Sequence, residues 1–306
     1  MVSFQSPRCC IYLLSFILAI VMAYLNGTKQ FSHKNFDFDN SVKKAADSLY
    51  DERASSSHND KSLYQYYYLH IPKTGGYGAM SFLNEDMEHI HQRKVCNHGF
   101  KYEWLNWTQN DPDCVIHMSE SYYSPNAKHI MTVVRPPLEH VVSQYFHCKE
   151  SKSHVTRSHL MPSLDVWLEQ WTKAQDSKSQ KVVREYDCYN PINLQTEKLG
   201  NPENNIELLE RFDVIGVLPQ LARSTCLMTI EISGIIPPRC NCTNTHRRLR
   251  ADHGVIHHGD SFKLTKNQTK MINQLTKIDA LLYKNGLDIF ENHVRYVETK
   301  YSFNMC

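Results

Sequence analysis

From about residue 66 onwards, short apolar runs alternate with segments of helical periodicity, and this alternation restricts the fold more than any other feature of the sequence. The apolar runs have the length and composition of buried strands. We predict strands at 66–71, 113–118, 129–134 and 212–217. Because strands that alternate with helices build parallel sheets, the sequence predicts an α/β domain with a mostly parallel sheet flanked by helices.

Between and after these strands, apolar residues recur at the spacing of an amphipathic helix. One such segment begins at Pro136, and proline is favoured in the first turn of a helix. The last segment contains Asn285–Gly286, a turn-forming pair at which we predict a break. We predict helices at 78–90, 136–149, 163–174, from 218 to about 232, and from 265 to about 296.

The N-terminal part of the chain differs from the rest. Residues 9–25 are 17 uncharged, mostly apolar residues, which is at the short end of a bilayer span. We predict a signal-anchor transmembrane helix here, with 1–8 as a cytoplasmic tail and a cleaved signal peptide as the alternative. Residues 26–62 are polar and predict a stem, which leaves 63–306 as the lumenal domain.

Features after the apolar segment agree with a secretory location. Eight of the ten cysteines lie there, and an even number favours disulfides. A zinc site is the alternative, but the sequence has no CxxC pair, and the disulfide connectivity stays open. The net charge of +2 gives no indication of nucleic-acid binding. Four N-glycosylation sequons follow the apolar segment, at Asn26, Asn106, Asn241 and Asn267.

The first predicted strand leads directly into the loop "PKTGGYGA" and a helix. A strand, a glycine-containing turn and a helix form a common phosphate-binding arrangement, because N–H groups at the helix N-terminus point at the anion. Gly75, Gly76 and Gly78 would let the backbone approach the phosphate, Lys73 adds a charge and Thr74 a hydroxyl donor. In a Walker A loop the lysine follows the glycines, whereas here it precedes them.

The stretch "HIPKTGG" resembles the 5′-phosphosulfate-binding loop of the Golgi-type carbohydrate sulfotransferases, which use 3′-phosphoadenosine 5′-phosphosulfate (PAPS). A second stretch, "TVVRPPLEHVVSQYF", is similar to the 3′-phosphate-binding motif of that family. The resemblance implies that Arg135 and Ser143 bind the 3′-phosphate of PAPS. Pro136 departs from the pattern, because the family often has an aspartate there that would orient the arginine.

Three further segments, at 193–200, 212–228 and 278–294, resemble parts of the same family. Together the resemblance implies a P-loop-type parallel sheet in a single-pass type II protein of the Golgi membrane. It implies sulfuryl transfer from PAPS to a hydroxyl of a glycan, either a glycosaminoglycan or a glycoprotein or glycolipid sugar, without a metal. Nucleic acid is not an expected partner, and the resemblance leaves homo-oligomerisation open.

The same resemblance implies catalytic roles for two residues. Lys73 would stabilise the charge that develops on the leaving phosphate. His117, which we expect at the carboxyl end of its strand and facing one cleft with Arg135, would act as the general base. His98 and Glu120 are the alternatives for the base.

The acceptor side of the site is less specific in the sequence. A basic segment at 246–258 would attract an acidic glycan, and Trp104 and Trp107 would stack on sugar rings or pack in the core. Two other functions remain as alternatives. One is a catalytically inactive glycan-binding relative, favoured by the departures at Tyr77 and Pro136. The other is a lumenal P-loop kinase, which the position of Lys73 argues against.

Overall fold

Five parallel strands form the central sheet of the computed structural model, in the order β2-β3-β1-β4-β5. Every pairing in this sheet is parallel, which confirms the predicted α/β class. All strands except β2, at one edge, are fully buried. The strands are β1 (Tyr66–Leu69), β2 (Lys94–Asn97), β3 (Cys114–Ser119), β4 (Ile130–Val134) and β5 (Val214–Val217).

The structure describes residues 66–98, 113–123, 127, 129–150, 161–176, 189–200, 206–242 and 262–306. Within these ranges no helix has the length and apolar character to cross a membrane. Several predictions lie outside the described residues: the membrane anchor, the stem and its boundary at 63, two of the sequons, and the proposed acceptor residues. They involve 1–62, Asn26, Trp104, Asn106, Trp107 and 246–258.

Seven α-helices and three short 3-10 helices accompany the strands in the described part of the chain. The 3-10 helices are Ile206–Arg211, Leu218–Gln220 and Pro238–Cys240. The α-helices are α1 (Gly76–His91), α2 (Pro137–Glu150), α3 (Leu164–Asp176), α4 (Leu194–Lys198), α5 (Leu221–Ser233), α6 (Lys266–Leu275) and α7 (Lys277–Tyr301).

Two apolar clusters hold these elements together. The larger cluster joins the sheet to α1, α5 and α7, with α5 and α7 both packed against β5. The smaller cluster joins α2, α3 and α6, and Trp167 and Leu168 of α3 are almost completely buried in it. Burial of apolar surface on this scale is the main stabilising contribution to the fold.

The topology places the carboxyl ends of β1 and β4 side by side. β1 lies between β3 and β4, and the chain leaves β1 through α1 towards β2 at one edge, whereas it leaves β4 towards β5 at the other edge. In open parallel sheets, ligands bind in the crevice where successive connections diverge in this way. The loops after β1 and β4 carry Lys73 and Arg135, so both residues lie at this switch point.

The predicted break at Asn285–Gly286 is wrong. α7 continues through this pair, and the C-terminal helical region is interrupted at Thr276 instead. Gly286 is buried, and a Cβ placed on it would lie 3.3 Å from Cγ2 of Val134. The glycine therefore allows α7 to pack closely on the sheet and does not end the helix.

Disulfides are present, as the cysteine content predicts. Cys96–Cys114 joins the neighbouring strands β2 and β3. Cys226–Cys240 and Cys242–Cys306 tie α5 and the C-terminus to the segment that contains the last 3-10 helix. Cys148 is also disulfide-bonded. Stable disulfides are typical of proteins that fold in an oxidising compartment.

Candidate functional site

The loop between β1 and α1 makes a sharp turn. Lys73 and Gly75 both have positive φ angles, 66° and 87°, and a non-glycine residue in this region indicates a backbone held by its surroundings. The hydroxyl of Thr74 is fully buried and donates to the carbonyl of Ile71 at 2.8 Å. In this structure that hydroxyl therefore stabilises the turn. Helix α1 starts at Gly76, without a side-chain cap or an acidic residue in its first turn, and its first N–H groups are available to an anion.

The glycines of the loop are required by the protein's own packing. A Cβ on Gly76 would lie 2.1 Å from Nε2 of His70, and a Cβ on Gly78 would lie 2.9 Å from Cδ2 of Leu221. His70 therefore packs directly beneath the loop. This packing accounts for the glycines without a ligand, and close approach of a phosphate to them stays a prediction.

Arg135 contacts the Lys73 loop directly. Its Nη1 donates to the carbonyl oxygen of Lys73 at 3.1 Å, although the two residues are 62 positions apart. The side chain is nearly buried, and its Nε lies 3.6 Å from Oε2 of Glu139, in the first turn of α2. Glu139 supplies a carboxylate for the arginine where Pro136 lacks one.

One face of α2 lines the loop. His140 donates from Nε2 to the carbonyl oxygen of Pro72 at 2.8 Å, and Nδ1 of His147 lies 3.1 Å from Nζ of Lys73. Ser143 is 8 % exposed and occupies the position between the two histidines on the same helix face, because residues three and four apart align on a helix. Ser143 therefore lies on the helix face whose two histidines contact the loop, and its role in binding phosphate stays a prediction.

The charges of the site come from Lys73 and Arg135. Burial, with Arg135 as the second cause, lowers the pKa of Lys73 to about 8, and Glu120 opposes this shift. Burial lowers the pKa of His70 and of His140 to about 3 in each case, so both imidazoles are neutral at physiological pH. The site is therefore a small region of positive charge supported by neutral histidines.

Glu120 is a second carboxylate beside this region, in addition to Glu139. It follows directly after β3, and its Oε1 lies 3.3 Å from Nδ1 of His70. Because His70 is neutral, this contact is not an ion pair between two charged groups. Burial raises the pKa of Glu120, while Lys198 and Lys73 act in the opposite direction. A carboxylate with a raised pKa beside two lysines has the properties of a general base or acid.

The expected position of His117 is wrong. β3 continues to Ser119, so His117 lies two residues before the carboxyl end of the strand. The side chain is 0 % exposed, and its Nδ1 lies 2.9 Å from Nε2 of His98, whose ring stacks on it. His117 is therefore buried within the sheet, between Tyr67 and Cys96 on the neighbouring strands, and its ring contacts that of His98 just after β2.

Several residues of the site give no signal in the sequence. Glu139, His140 and His147 appear in the sequence only as polar residues of an amphipathic helix. Gln195 lies in the 193–200 segment that resembles the sulfotransferases, but that resemblance assigns it no role, whereas in the structure its amide side chain holds the backbone of Arg135 through two hydrogen bonds. The one available signal was the spacing of His140, Ser143 and His147, which places them on one helix face.

Within the described residues, no group of three or more His, Cys, Asp or Glu side chains has the arrangement needed to hold a metal ion. A scan against models of known protein families finds no match to the chain. A search of curated proteins finds no match either.

Proposed function

We propose that the protein transfers a sulfuryl group from PAPS to a hydroxyl of a glycan. One observation carries this proposal: Lys73 and Arg135, from the two segments that resemble the donor-binding motifs, meet at the switch point of a parallel sheet. Two cations and a helix N-terminus at one place favour a ligand with more than one anionic group.

The loop residues would hold the 5′ end of the donor. The N–H groups at 76–78 and the ammonium group of Lys73 are suited to a phosphate, and Lys73 is close enough to neutralise charge that develops on a leaving oxygen. The donor supplies the sulfuryl group, with adenosine 3′,5′-bisphosphate as the leaving group. Thr74 would contribute through its place in the turn, because its hydroxyl already has an acceptor.

Arg135 and Ser143 would hold the 3′-phosphate. The planar guanidinium group of Arg135 matches phosphate geometry, and Glu139 and the carbonyl oxygen of Lys73 orient it. Ser143 adds a hydroxyl from the adjacent helix face. The two phosphates of one nucleotide would thus be bound by segments from opposite sides of the switch point.

Glu120 is the better candidate for the general base, in place of His117. It lies at the carboxyl end of β3, within electrostatic range of Lys73, whereas His117 is fully buried inside the sheet. Lys73 on the donor side and Glu120 on the acceptor side would let one side chain stabilise the leaving group while the other accepts the proton of the hydroxyl.

The cellular context is part of the same proposal. The disulfides agree with a secretory compartment. The apolar segment at 9–25 is of the length expected for a signal anchor in the Golgi membrane, with the enzyme domain in the lumen. The acceptor would be a glycan that passes through that compartment.

A transfer assay tests the proposal. The purified full-length chain is incubated with radiolabelled PAPS and a panel of desulfated glycans, and with γ-labelled ATP and magnesium as the kinase control. We expect label on at least one glycan from PAPS and none from ATP. Glu120→Gln should reduce the rate about 10²–10⁴-fold while nucleotide binding persists. His117→Gln should retain transfer when the rate is normalised to bound nucleotide.

Transfer from ATP instead of PAPS would contradict the proposed function. A full rate in Glu120→Gln, together with loss of transfer in a nucleotide-binding His117→Gln variant, would contradict only the choice of base.

A further inference from the structure

The N-termini of α4 and α7 cap each other. Oδ1 of Asn193 accepts the N–H groups of Ile278 and Asp279, at 2.9 and 3.2 Å. In return, the carboxylate of Asp279 accepts the N–H groups of Gln195 and Thr196, at 3.3 and 2.8 Å, and the hydroxyl of Thr196 at 2.6 Å. First-turn N–H groups have no partner within their own helix, so each helix satisfies the other and the two are held in a fixed relation.

Gln195 connects this pair of helices to Arg135. Its Oε1 accepts the N–H of Arg135 at 2.8 Å, and its Nε2 donates to the carbonyl of Arg135 at 2.9 Å. Gln195 is fully buried. One side-chain amide therefore fixes both backbone polar groups of Arg135, just beyond the last residue of β4, and so fixes the start of its side chain.

The buried position of Asp279 is energetically unfavourable for a carboxyl group. It is fully buried, and burial raises its pKa to about 6 although three hydrogen bonds from Gln195 and Thr196 oppose the shift. A buried carboxyl group costs free energy unless its hydrogen bonds compensate. All three hydrogen bonds to Asp279 come from α4, and Gln195 of the same helix binds the backbone of Arg135. A change at Asp279 should therefore alter the position of Arg135.

We propose that Asp279 is a positioning residue which, through Gln195, fixes the backbone of Arg135 and thereby sets the preference of the site for a nucleotide with a 3′-phosphate. The preference for this phosphate rests on the proposed function. The positioning of Arg135 rests only on the hydrogen bonds of Asn193, Gln195, Thr196 and Asp279.

The positioning is tested without any nucleotide, by hydrogen exchange at the backbone amide of Arg135 in the full-length chain. In Asp279→Asn an NH₂ group faces the N–H of Gln195 in place of one carboxylate oxygen, and in Gln195→Met the contact with Arg135 is removed. We expect exchange at this amide to be at least tenfold faster in both variants. Asp288→Asn, on the exposed side of α7, is the matched control and should exchange like the wild type. Unchanged exchange in Asp279→Asn would overturn the proposal, whatever the result for Gln195→Met.

The ligand preference is tested by comparing the affinities for adenosine 3′,5′-bisphosphate and adenosine 5′-phosphate. We expect Asp279→Asn to reduce the ratio of these affinities about tenfold, and to have no further effect in an Arg135→Ala background. Equal weakening of both nucleotides, with the ratio unchanged, would show a purely structural role and reject the proposal. If the wild type binds neither nucleotide, the proposed function fails and so does the assigned ligand, while the exchange rates still decide whether Asp279 positions Arg135.

Discussion

Lys73 lies where its own charge is unfavourable. Burial and the neighbouring Arg135 lower its pKa to about 8, which means that the free protein destabilises the cation. Its Nζ lies 3.1 Å from Nδ1 of His147, a contact that supplies no negative charge to balance the ammonium group. An anion bound between Lys73 and Arg135 would remove the repulsion and stabilise the protonated form. Binding of the proposed donor would therefore raise the pKa of Lys73.

The pH dependence of nucleotide binding follows from this pKa. Lys73 is protonated below about pH 8 and loses its proton above it, and only the protonated form attracts phosphate. We expect the affinity for adenosine 3′,5′-bisphosphate to be highest near pH 7, where the phosphates are dianionic, and to fall by up to about tenfold per pH unit above pH 8. Calorimetric titrations between pH 6 and pH 10 measure this dependence.

Lys73→Arg keeps the charge over the whole range and should abolish the fall above pH 8. Lys270→Arg, an exposed lysine on α6, should leave the fall unchanged. A wild-type affinity that stays constant to pH 10, or an identical fall in Lys73→Arg, would show that Lys73 is not the group that titrates.

Some residues of the site can be identified from the sequence, and others only from the structure. Lys73 and Arg135 could be found in the sequence because each follows a strand and opens a helix. His140 and Gln195 could not, because their roles depend on contacts with Pro72 and Arg135 that are distant in the chain. His117 was misplaced because the apolar run does not show that the strand continues to Ser119.

The turn before α1 owes its shape to glycine. Gly75 has a φ of 87°, and a Cβ on it would lie 2.4 Å from Cδ1 of Leu218. Gly234, at the end of α5, has a φ of 68° but nothing within 4 Å of a Cβ. At both positions a residue with a Cβ would be strained by the positive φ angle. Only at Gly75 would the Cβ also clash with a neighbouring side chain.

Replacement by alanine separates these two effects. We expect Gly234→Ala to lower the free energy of unfolding by about 1 kcal/mol, and Gly75→Ala to lower it by about 1–2 kcal/mol more. Gly75→Ala should also weaken nucleotide binding, whereas Gly234→Ala should not. Denaturant unfolding and nucleotide titration of both variants check this, and equal losses of stability would mean that Leu218 moves aside without cost.

Helices and strands were predictable where their apolar residues recur at the regular spacing of that element. The long helices and the four apolar strands lie close to their predicted positions, because each buries one stripe or both faces against the core. β2 was missed, since only Val95 of its four residues is buried and its place in the sheet depends on pairing with β3 and on the disulfide Cys96–Cys114. The short helix α4 was missed because Asp279, far along the chain, caps it.

The architecture of the whole domain was predictable from the alternation of strands and helices, but the strand order was not. Nothing in the sequence specifies that β1 lies between β3 and β4, and this order is what brings Lys73 and Arg135 together. The disulfide pairing was likewise open. In the structure Cys242–Cys306 closes a loop with a sequence separation of 64, which fixes the C-terminus to the segment after α5.

This disulfide should contribute to the stability of the whole domain, because it restricts the unfolded chain more than the folded one. We expect the double variant Cys242→Ser, Cys306→Ser to lower the free energy of unfolding by about 2–4 kcal/mol, as measured by denaturant unfolding without reductant. With reductant present, the wild type should lose at least as much. A double variant as stable as the oxidised wild type would contradict this expectation. It would show that the disulfide does not further restrict the unfolded chain between residues 242 and 306.

The most direct test of the central claim is calorimetry of the full-length chain with adenosine 3′,5′-bisphosphate and with adenosine 5′-phosphate. We predict one binding site per chain and an affinity for the bisphosphate about 10–100-fold higher than for the monophosphate. This difference should disappear in Arg135→Ala and persist in Arg295→Ala, a control at an exposed arginine. No heat of binding with the wild type, or the same preference in Arg135→Ala, would contradict the claim that Lys73 and Arg135 bind the two phosphates of one nucleotide.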